Sequence, residues 1–439
     1  MASPGETSGG LDRIRVTNVT RVCPEITSTT PQPNLIKLSF FDVLWVGMPP
    51  MTRLLLYPSA PPLRSASHSL ISSLSLALSR FLPLSGRLAA SDEAEIAFSA
   101  DGIAFSEAEA EGDIGRIANH DVYDWEAFRS LVPDLEAGEL LAVQVTGFAG
   151  GGLALGFAFS HLAADGRSIW SFVESWAKIC RAGGVMKPEV AGAAAVFDRS
   201  LIVCPSGDSI SRQFIKRLAP SYPLLPRHTS STEAAADLSR KTFVLTSGNI
   251  KSLKERAASI TTKVSTFVAI VSHIWITTIQ AKKLNHEDST ILIFNADCRD
   301  RLQPPLGPNF FGNCVKVCTV KAVSGELIKG GGHGLSFACM ALQEEIRKVG
   351  ENPLEDLERW TDVFFGLPEG RMLLVAESPR FRVYDMDFGW GRPGRVEMVS
   401  LTLDGHVALL EGKEEGAVQV SIALPPSQMD VFASLFHLV

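Results

Sequence analysis

Two residue patterns in this chain could carry chemistry. In Gly156-Phe-Ala-Phe-Ser-His161-Leu-Ala-Ala-Asp165-Gly166-Arg167 an imidazole and a carboxylate stand four residues apart, between an apolar strand-like run and a helix-like one. A neutral imidazole at such a reversal can point into a cleft and take a proton from a hydroxyl or an amine, since its unperturbed pKa lies near neutrality. Asp165 is expected to turn back and hold the loop. The spacing alone is a weak signal, because a chain with nine histidines yields one His-x3-Asp pair by chance about half the time. His120-Asp-Val-Tyr-Asp124 matches it too, but with no strand before it and no glycine after it, and it reads as an ordinary surface histidine.

The second pattern is Val383-Tyr-Asp-Met-Asp387-Phe-Gly389-Trp390-Gly391-Arg-Pro. Two glycines around an indole, with a carboxylate just upstream, suit a tight turn pinned by a buried ring and an ion pair. That predicts a structural role for Asp387, Gly389, Trp390 and Gly391.

The elements that must position these residues follow from periodicity. Ile14–Val22 and Leu140–Gly147 alternate with the strand period, and Leu70–Phe81 has helical spacing. Gly150-Gly-Gly152 predicts a hairpin turn rather than a phosphate loop, because no Lys-Ser/Thr and no helix follow it. Ser168–Cys180 reads as an amphipathic helix ended by Gly183-Gly184, with Trp170, Phe172 and Trp176 on its core side. From 184 to 238 the pattern gives way to Pro, Ala, Ser and Thr and reads as a long crossover linker. The second half resumes with a strand at Thr242, a buried helix from Val264, an apolar strand from Ile291, a helix from Leu335 to Val349 after a glycine-rich loop, three strands between 395 and 423, and a last helix from Ser427. The expected division is an N-terminal domain over 1–183, the crossover over 184–238 and a C-terminal domain over 239–439. At 439 residues the chain exceeds what one core usually organises, which also favours two domains.

The totals exclude several functions. With 46% hydrophobic and 20% charged residues and a net charge of −7, the composition is that of a globular protein without the basic footprint of a nucleic-acid or anionic-membrane binder. The first residues lack the basic and apolar regions of a signal peptide, so a cytoplasmic protein is expected and the sequon at Asn18 goes unused. Seven dispersed cysteines without a Cys-x2-Cys pair read as reduced thiols; Cys314 and Cys318 are four apart on a strand-like run, and no metal site is expected there.

Taken together, His161-x3-Asp165-Gly166 and Asp387-Phe-Gly-Trp-Gly391 resemble the two hallmarks of the BAHD acyltransferases of plants, in the same order and at a fitting separation. Further segments similar to that family are Ser39-Phe-Phe-Asp-Val, Leu82-Pro-Leu-Ser-Gly86-Arg87-Leu, Val264-Ser-Thr-Phe267 and Ala296-Asp-Cys-Arg299-Asp-Arg301. Phe310-Phe-Gly-Asn313-Cys314 and Ser378-Pro-Arg380-Phe-Arg-Val-Tyr look like the branch that acylates sugars on anthocyanins, flavonoids and other phenolic glucosides, with Phe310 where that branch has Tyr.

The resemblance implies an α/β fold of two chloramphenicol acetyltransferase-like domains with mixed sheets and a channel between them. Acyl-CoA, malonyl or hydroxycinnamoyl, would enter as co-substrate from one side and a phenolic glucoside from the other, with no tightly bound cofactor, and the protein would act as a monomer. His161 would be the general base; Asp165 would point away from the channel and pair with Arg299 or Arg301, shaping the loop rather than acting as the Asp of a hydrolase triad. Gly166 would relieve crowding where the chain enters the helix. Lys263, Ser265 and Thr266 match a CoA-contacting region at a helix start, where N–H groups favour anions; a plain N-cap explains them as well. Arg380 is a further candidate at that mouth. An N-acyltransferase acting on an amine such as a polyamine, or a catalytically silent binding protein of this fold, are the alternatives.

Overall fold

The computed structural model describes residues 14–26, 35–89, 95–97, 101–119, 123–185, 193–219, 237–258, 264–368 and 370–437. The strands in chain order are β1 (Ile14–Val22), β2 (Leu35–Lys37), β3 (Met51–Tyr57), β4 (Arg87–Leu88), β5 (Glu95–Ala97), β6 (Ile103–Ala110), β7 (Leu141–Phe148) and β8 (Leu153–Phe159). They continue with β9 (Ser239–Leu245), β10 (Ser289–Asp297), β11 (Val315–Val323), β12 (Met372–Ala376), β13 (Arg395–Met398), β14 (His406–Glu411) and β15 (Val418–Leu424). Two six-stranded mixed sheets result, ordered β1-β6-β7-β8-β3-β13 and β11-β10-β12-β14-β15-β9, with a small β2-β5-β4 sheet beside them.

The first sheet exists to present the end of β8. Strand β8 is apolar on both faces, β7 departs only with Gln144 and Thr146, and both strands are buried almost throughout, which suits the centre of a covered sheet. They form a hairpin, and its turn needs glycine: Gly151 and Gly152 have φ of 94° and 85°, and a Cβ on Gly152 would meet Ile114 at 2.6 Å. On the other side β8 pairs antiparallel with β3, Met51 opposite Phe159 and Arg53 opposite Phe157. The chain leaves β8 at Phe159, turns through His161, and enters the Gly166–Arg181 helix. That helix buries Ile169, Phe172, Val173 and Trp176, as its amphipathic spacing predicts.

Strand β13 crosses between the halves. It pairs antiparallel with β3, from Arg395 opposite Leu56 to Met398 opposite Arg53. Its Glu397 is fully buried, joined to Arg395 at 2.7 Å, and accepts hydrogen bonds from Thr242 on β9 (3.1 Å) and Ser421 on β15 (3.3 Å). The C-terminal part of the chain therefore lends one strand to the first sheet, and we propose the crossover as the domain boundary with that one exception.

The described part of the crossover is not all irregular. Gly207–Leu218 is a helix with Ile210, Phe214 and Ile215 buried. Only these few apolar positions mark it, among Ser, Arg and Lys, and Ser206 at its N-cap makes no capping hydrogen bond. Just before it, Arg199 reaches back to Asp42 and to the carbonyl of Phe311 (2.7 Å), so the crossover contributes to the site described next.

Candidate active site

Three buried knots hold the turn that carries His161. The first is Asp165, the N-cap of the Gly166–Arg181 helix, whose Oδ1 accepts from the Ser168 N–H at 3.1 Å. Its carboxylate faces Arg299, with Nη1 to Oδ2 at 2.9 Å and Nη2 to Oδ1 at 3.0 Å, and also accepts from the Cys314 N–H at 3.0 Å. Asp165 is thus turned away from the imidazole and fully engaged. Of the two arginines that could pair with it, the structure selects Arg299, which is wholly buried; Arg301 donates instead to the backbone carbonyl of Asp297.

The second knot is Asn313. Its Nδ2 donates to the carbonyls of His161 (2.8 Å) and Leu162 (3.4 Å) and to Asp42 Oδ1 (3.1 Å), fixing the backbone at the histidine itself. Asp42 belongs to the short Phe40–Val43 helix, closes a capping box with Ser39, and meets Arg199 at 3.2 Å. Gly312, one residue before Asn313, lies at φ 151°, and a Cβ there would sit 2.4 Å from the Arg199 guanidinium.

The third contact is aromatic. The indole of Trp45 stacks on His161 with centroids 3.8 Å apart and planes 9° from parallel, which sets the plane of the imidazole. His161 Nδ1 is buried without a hydrogen-bond partner. Burial pushes its pKa down to about 4; the nearby Arg53 guanidinium acts in the same direction, against Asp165 and Asn313. The ring is therefore neutral at physiological pH and available to accept a proton.

The Asp387 motif sits at the other end of the same helix. Asp387 Oδ1 accepts from the N–H groups of Gly389 (2.8 Å) and Gly391 (2.9 Å), and its Oδ2 faces Arg181, the last helical residue, at 3.5 Å. Sixteen helical residues, about 24 Å of helix, separate it from the His161 end. Both glycines have positive φ, 103° and 87°. They turn the chain so that Phe388 is the buried ring against Trp176 (5.0 Å), whereas Trp390 is only half-buried, edge-on to Tyr57. Asp387→Ala is accordingly expected to cost about 1–3 kcal/mol of stability, the range for losing charge-assisted hydrogen bonds, while kcat/KM of the folded enzyme holds. Denaturant unfolding alongside kinetics checks this.

Ser265 is the N-cap of the Thr266–Lys282 helix, its Oγ accepting from the Val268 N–H at 3.2 Å. Arg380 is exposed beside Ser378, and Lys263 and His120 lie outside the described residues. A cleft of about 240 Å³ opens along the helix, lined among others by Phe81, Arg167, Trp170, Phe310 and Phe381. Arg167 there is paired with Asp297 at 2.8 Å. Trp45, Asp42, Arg199 and Arg53 carry no motif of their own; only Ser39-Phe-Phe-Asp-Val, as a segment, hinted at this corner.

The chain that carries this loop is matched over residues 13–439 by the model of the Transferase family, to which the BAHD acyltransferases belong. The chain belongs to the BAHD acyltransferase family. Its relatives include the malonyl-CoA:anthocyanidin 5-O-glucoside-6''-O-malonyltransferase of Arabidopsis thaliana, 31% identical over 97% of this chain and 98% of that one. Phenolic glucoside malonyltransferase 1 of the same plant is 28% identical over 97% of each chain. Among solved structures, vinorine synthase superposes with a TM-score of 0.76 at 21% identity, over 96% of this chain and 98% of that chain, which shows the fold. As a BAHD acyltransferase the protein is an enzyme that uses acyl-CoA as co-substrate.

Proposed function

We propose that this BAHD enzyme transfers a malonyl or hydroxycinnamoyl group from its CoA thioester to a sugar hydroxyl of a phenolic glucoside, such as a flavonoid or anthocyanin glucoside, with His161 as general base. The observation that carries the reading is the division of labour in the loop. Asp165 is spent on Arg299 and two backbone N–H groups, while His161 is neutral, held in plane by Trp45 and free at Nδ1. The likeness to malonyltransferases of anthocyanidin and phenolic glucosides supports the acceptor class.

In this reading the imidazole takes the acceptor O–H proton as that oxygen attacks the thioester carbonyl. The tetrahedral intermediate collapses with cleavage of the C–S bond, and the imidazolium returns the proton to the departing CoA thiolate. The products are an ester and free CoA. Both substrates are bound together, and no acyl-enzyme forms. Asp165, Arg299, Asn313 and Gly166 shape the loop. A Cβ on Gly166 would lie 3.2 Å from the Phe381 ring, so the ring would have to give by a few tenths of an ångström. We also assign CoA phosphates to the helix start around Lys263, Ser265 and Thr266, with Arg380 nearby, and take the protein to be a cytoplasmic monomer.

The test is CoA release with malonyl-CoA and p-coumaroyl-CoA against mixed phenolic glucosides and polyamines. Release with glucosides is expected. Release only with amines would assign an N-acyltransferase, and thioester binding without release would assign a silent binding protein.

A further inference from the structure

One buried carboxylate beside the loop has no place in the reaction just derived. Glu377 follows β12 and its side chain is 2% exposed. It adopts φ 64°, one of three described non-glycine residues in the left-handed region, where glycine is the default and a β-carbon costs free energy. Backbone strain of this kind persists where the surroundings fix the residue, and it points to a use for the side chain.

That use is visible in its contacts. Glu377 Oε1 is ion-paired with Arg53, itself 2% exposed, and Oε2 accepts from the Trp170 indole N–H at 3.0 Å. The same oxygen would lie 3.5 Å from a Cβ on Gly166, so the carboxylate rests over the last residue of the His161–Gly166 turn. Arg53 is near enough to the histidine to help depress its pKa. It projects from β3 opposite Phe157, two residues before the end of the strand that launches His161.

Three other guanidinium groups at this corner are matched in the same way: Arg299 with Asp165, Arg199 with Asp42, and Arg167 with Asp297. Each of these four arginines, Arg53 included, already faces a carboxylate, and Asp297 faces Arg299 at 3.2 Å as well as Arg167. An acyl group ending in its own carboxylate must leave water to reach this site, and a desolvated charge is tolerated only beside an unengaged partner.

We propose that Glu377 is a specificity-determining residue: by occupying Arg53 beside the His161 turn, it bars acyl groups that end in a carboxylate and directs the enzyme to thioesters with an uncharged acyl end. This rests on the acyl-CoA reading of the site and chooses the hydroxycinnamoyl side of it over the malonyl side. Trp170, whose N–H holds Glu377, also lines the cleft with Phe81, Phe310 and Phe381.

The test compares acetyl-CoA, malonyl-CoA and p-coumaroyl-CoA on the full chain, because malonyl differs from acetyl by the carboxylate alone. Affinity by calorimetry and kcat/KM with a phenolic glucoside are both measured. Wild type is expected to bind and use malonyl-CoA at least about 10-fold less well than acetyl-CoA, as expected for a site that rejects an unmatched charge. Glu377→Gln keeps the side-chain volume and the bond to Trp170 while freeing the Arg53 charge, and should raise the malonyl-to-acetyl ratio by about 10-fold. Glu377→Gly suits φ 64° without strain and should shift the ratio the same way, which covers the case in which the Gln variant folds poorly. Equal use of malonyl-CoA and acetyl-CoA by wild type, or an unchanged ratio in both variants, overturns the proposal. If no thioester acylates any glucoside, the acceptor reading fails, while the calorimetric ratio still decides the role of Glu377.

Discussion

His161→Ala should keep the fold and lower turnover by roughly 10² to 10⁴-fold, the usual contribution of a positioned general base. The side chain makes no hydrogen bond at Nδ1 and packs chiefly against Trp45, so its removal strips little from the loop, which hangs on Asn313 and Asp165 through the backbone. The pH profile gives a second reading of the same group. Because burial brings the imidazole to about 4, the unprotonated form prevails throughout the neutral range. The acid limb of kcat/KM in the free enzyme is therefore expected near 4, well below the 6.5 of an unperturbed histidine, with activity lost as pH falls through that value. His120→Ala serves as control and should change almost nothing. Equal damage from the two substitutions, or a limb near 6.5, would remove His161 from the role of base.

How far the sequence reaches depends on how local the physics is. Strands β7 and β8 and the Gly166–Arg181 helix are legible because alternation, the Gly150–Gly152 turn and amphipathic spacing all lie within a dozen residues of what they specify. Asp165 and His161 are legible for the same reason. Strand β13 is legible as a strand, but not its place: nothing local tells that Arg395–Met398 pairs with β3 of the first sheet, or that its buried Glu397 is met by Thr242 and Ser421 of the second. The choice of Arg299 over Arg301 was equally closed to inspection, since it depends on which guanidinium the loop after β10 aims at a residue 134 positions earlier. Trp45, Asp42 and Arg199 enter the site through contacts across more than a hundred residues, for which no spacing rule exists. Glu377 is hidden more deeply, because nothing in Ala376-Glu377-Ser378 announces a left-handed backbone.

The Asp165–Arg299 pair should produce the largest stability effect. Both side chains are almost completely buried, and together they tie the His161 turn, the helix N-terminus through Ser168, and the backbone at Gly312 and Cys314. Arg299→Ala leaves the Asp165 carboxylate in the interior without its cation, a change that typically costs about 3–5 kcal/mol. Asp165→Asn costs less, because the amide oxygen can still cap Ser168, but its NH2, in the place of Oδ2, then confronts both the Cys314 N–H and the Arg299 guanidinium, donor against donor. The double variant Asp165→Asn/Arg299→Leu should be more stable than the sum of the single losses predicts, since no unpaired charge is left behind. Turnover should fall in proportion to the disorder of the loop, so activity and melting temperature should decline together across the series. An Asp165→Asn enzyme that melts like wild type yet has lost turnover would mean that the carboxylate takes part in proton transfer, and the separation of roles between His161 and Asp165 would have to be abandoned.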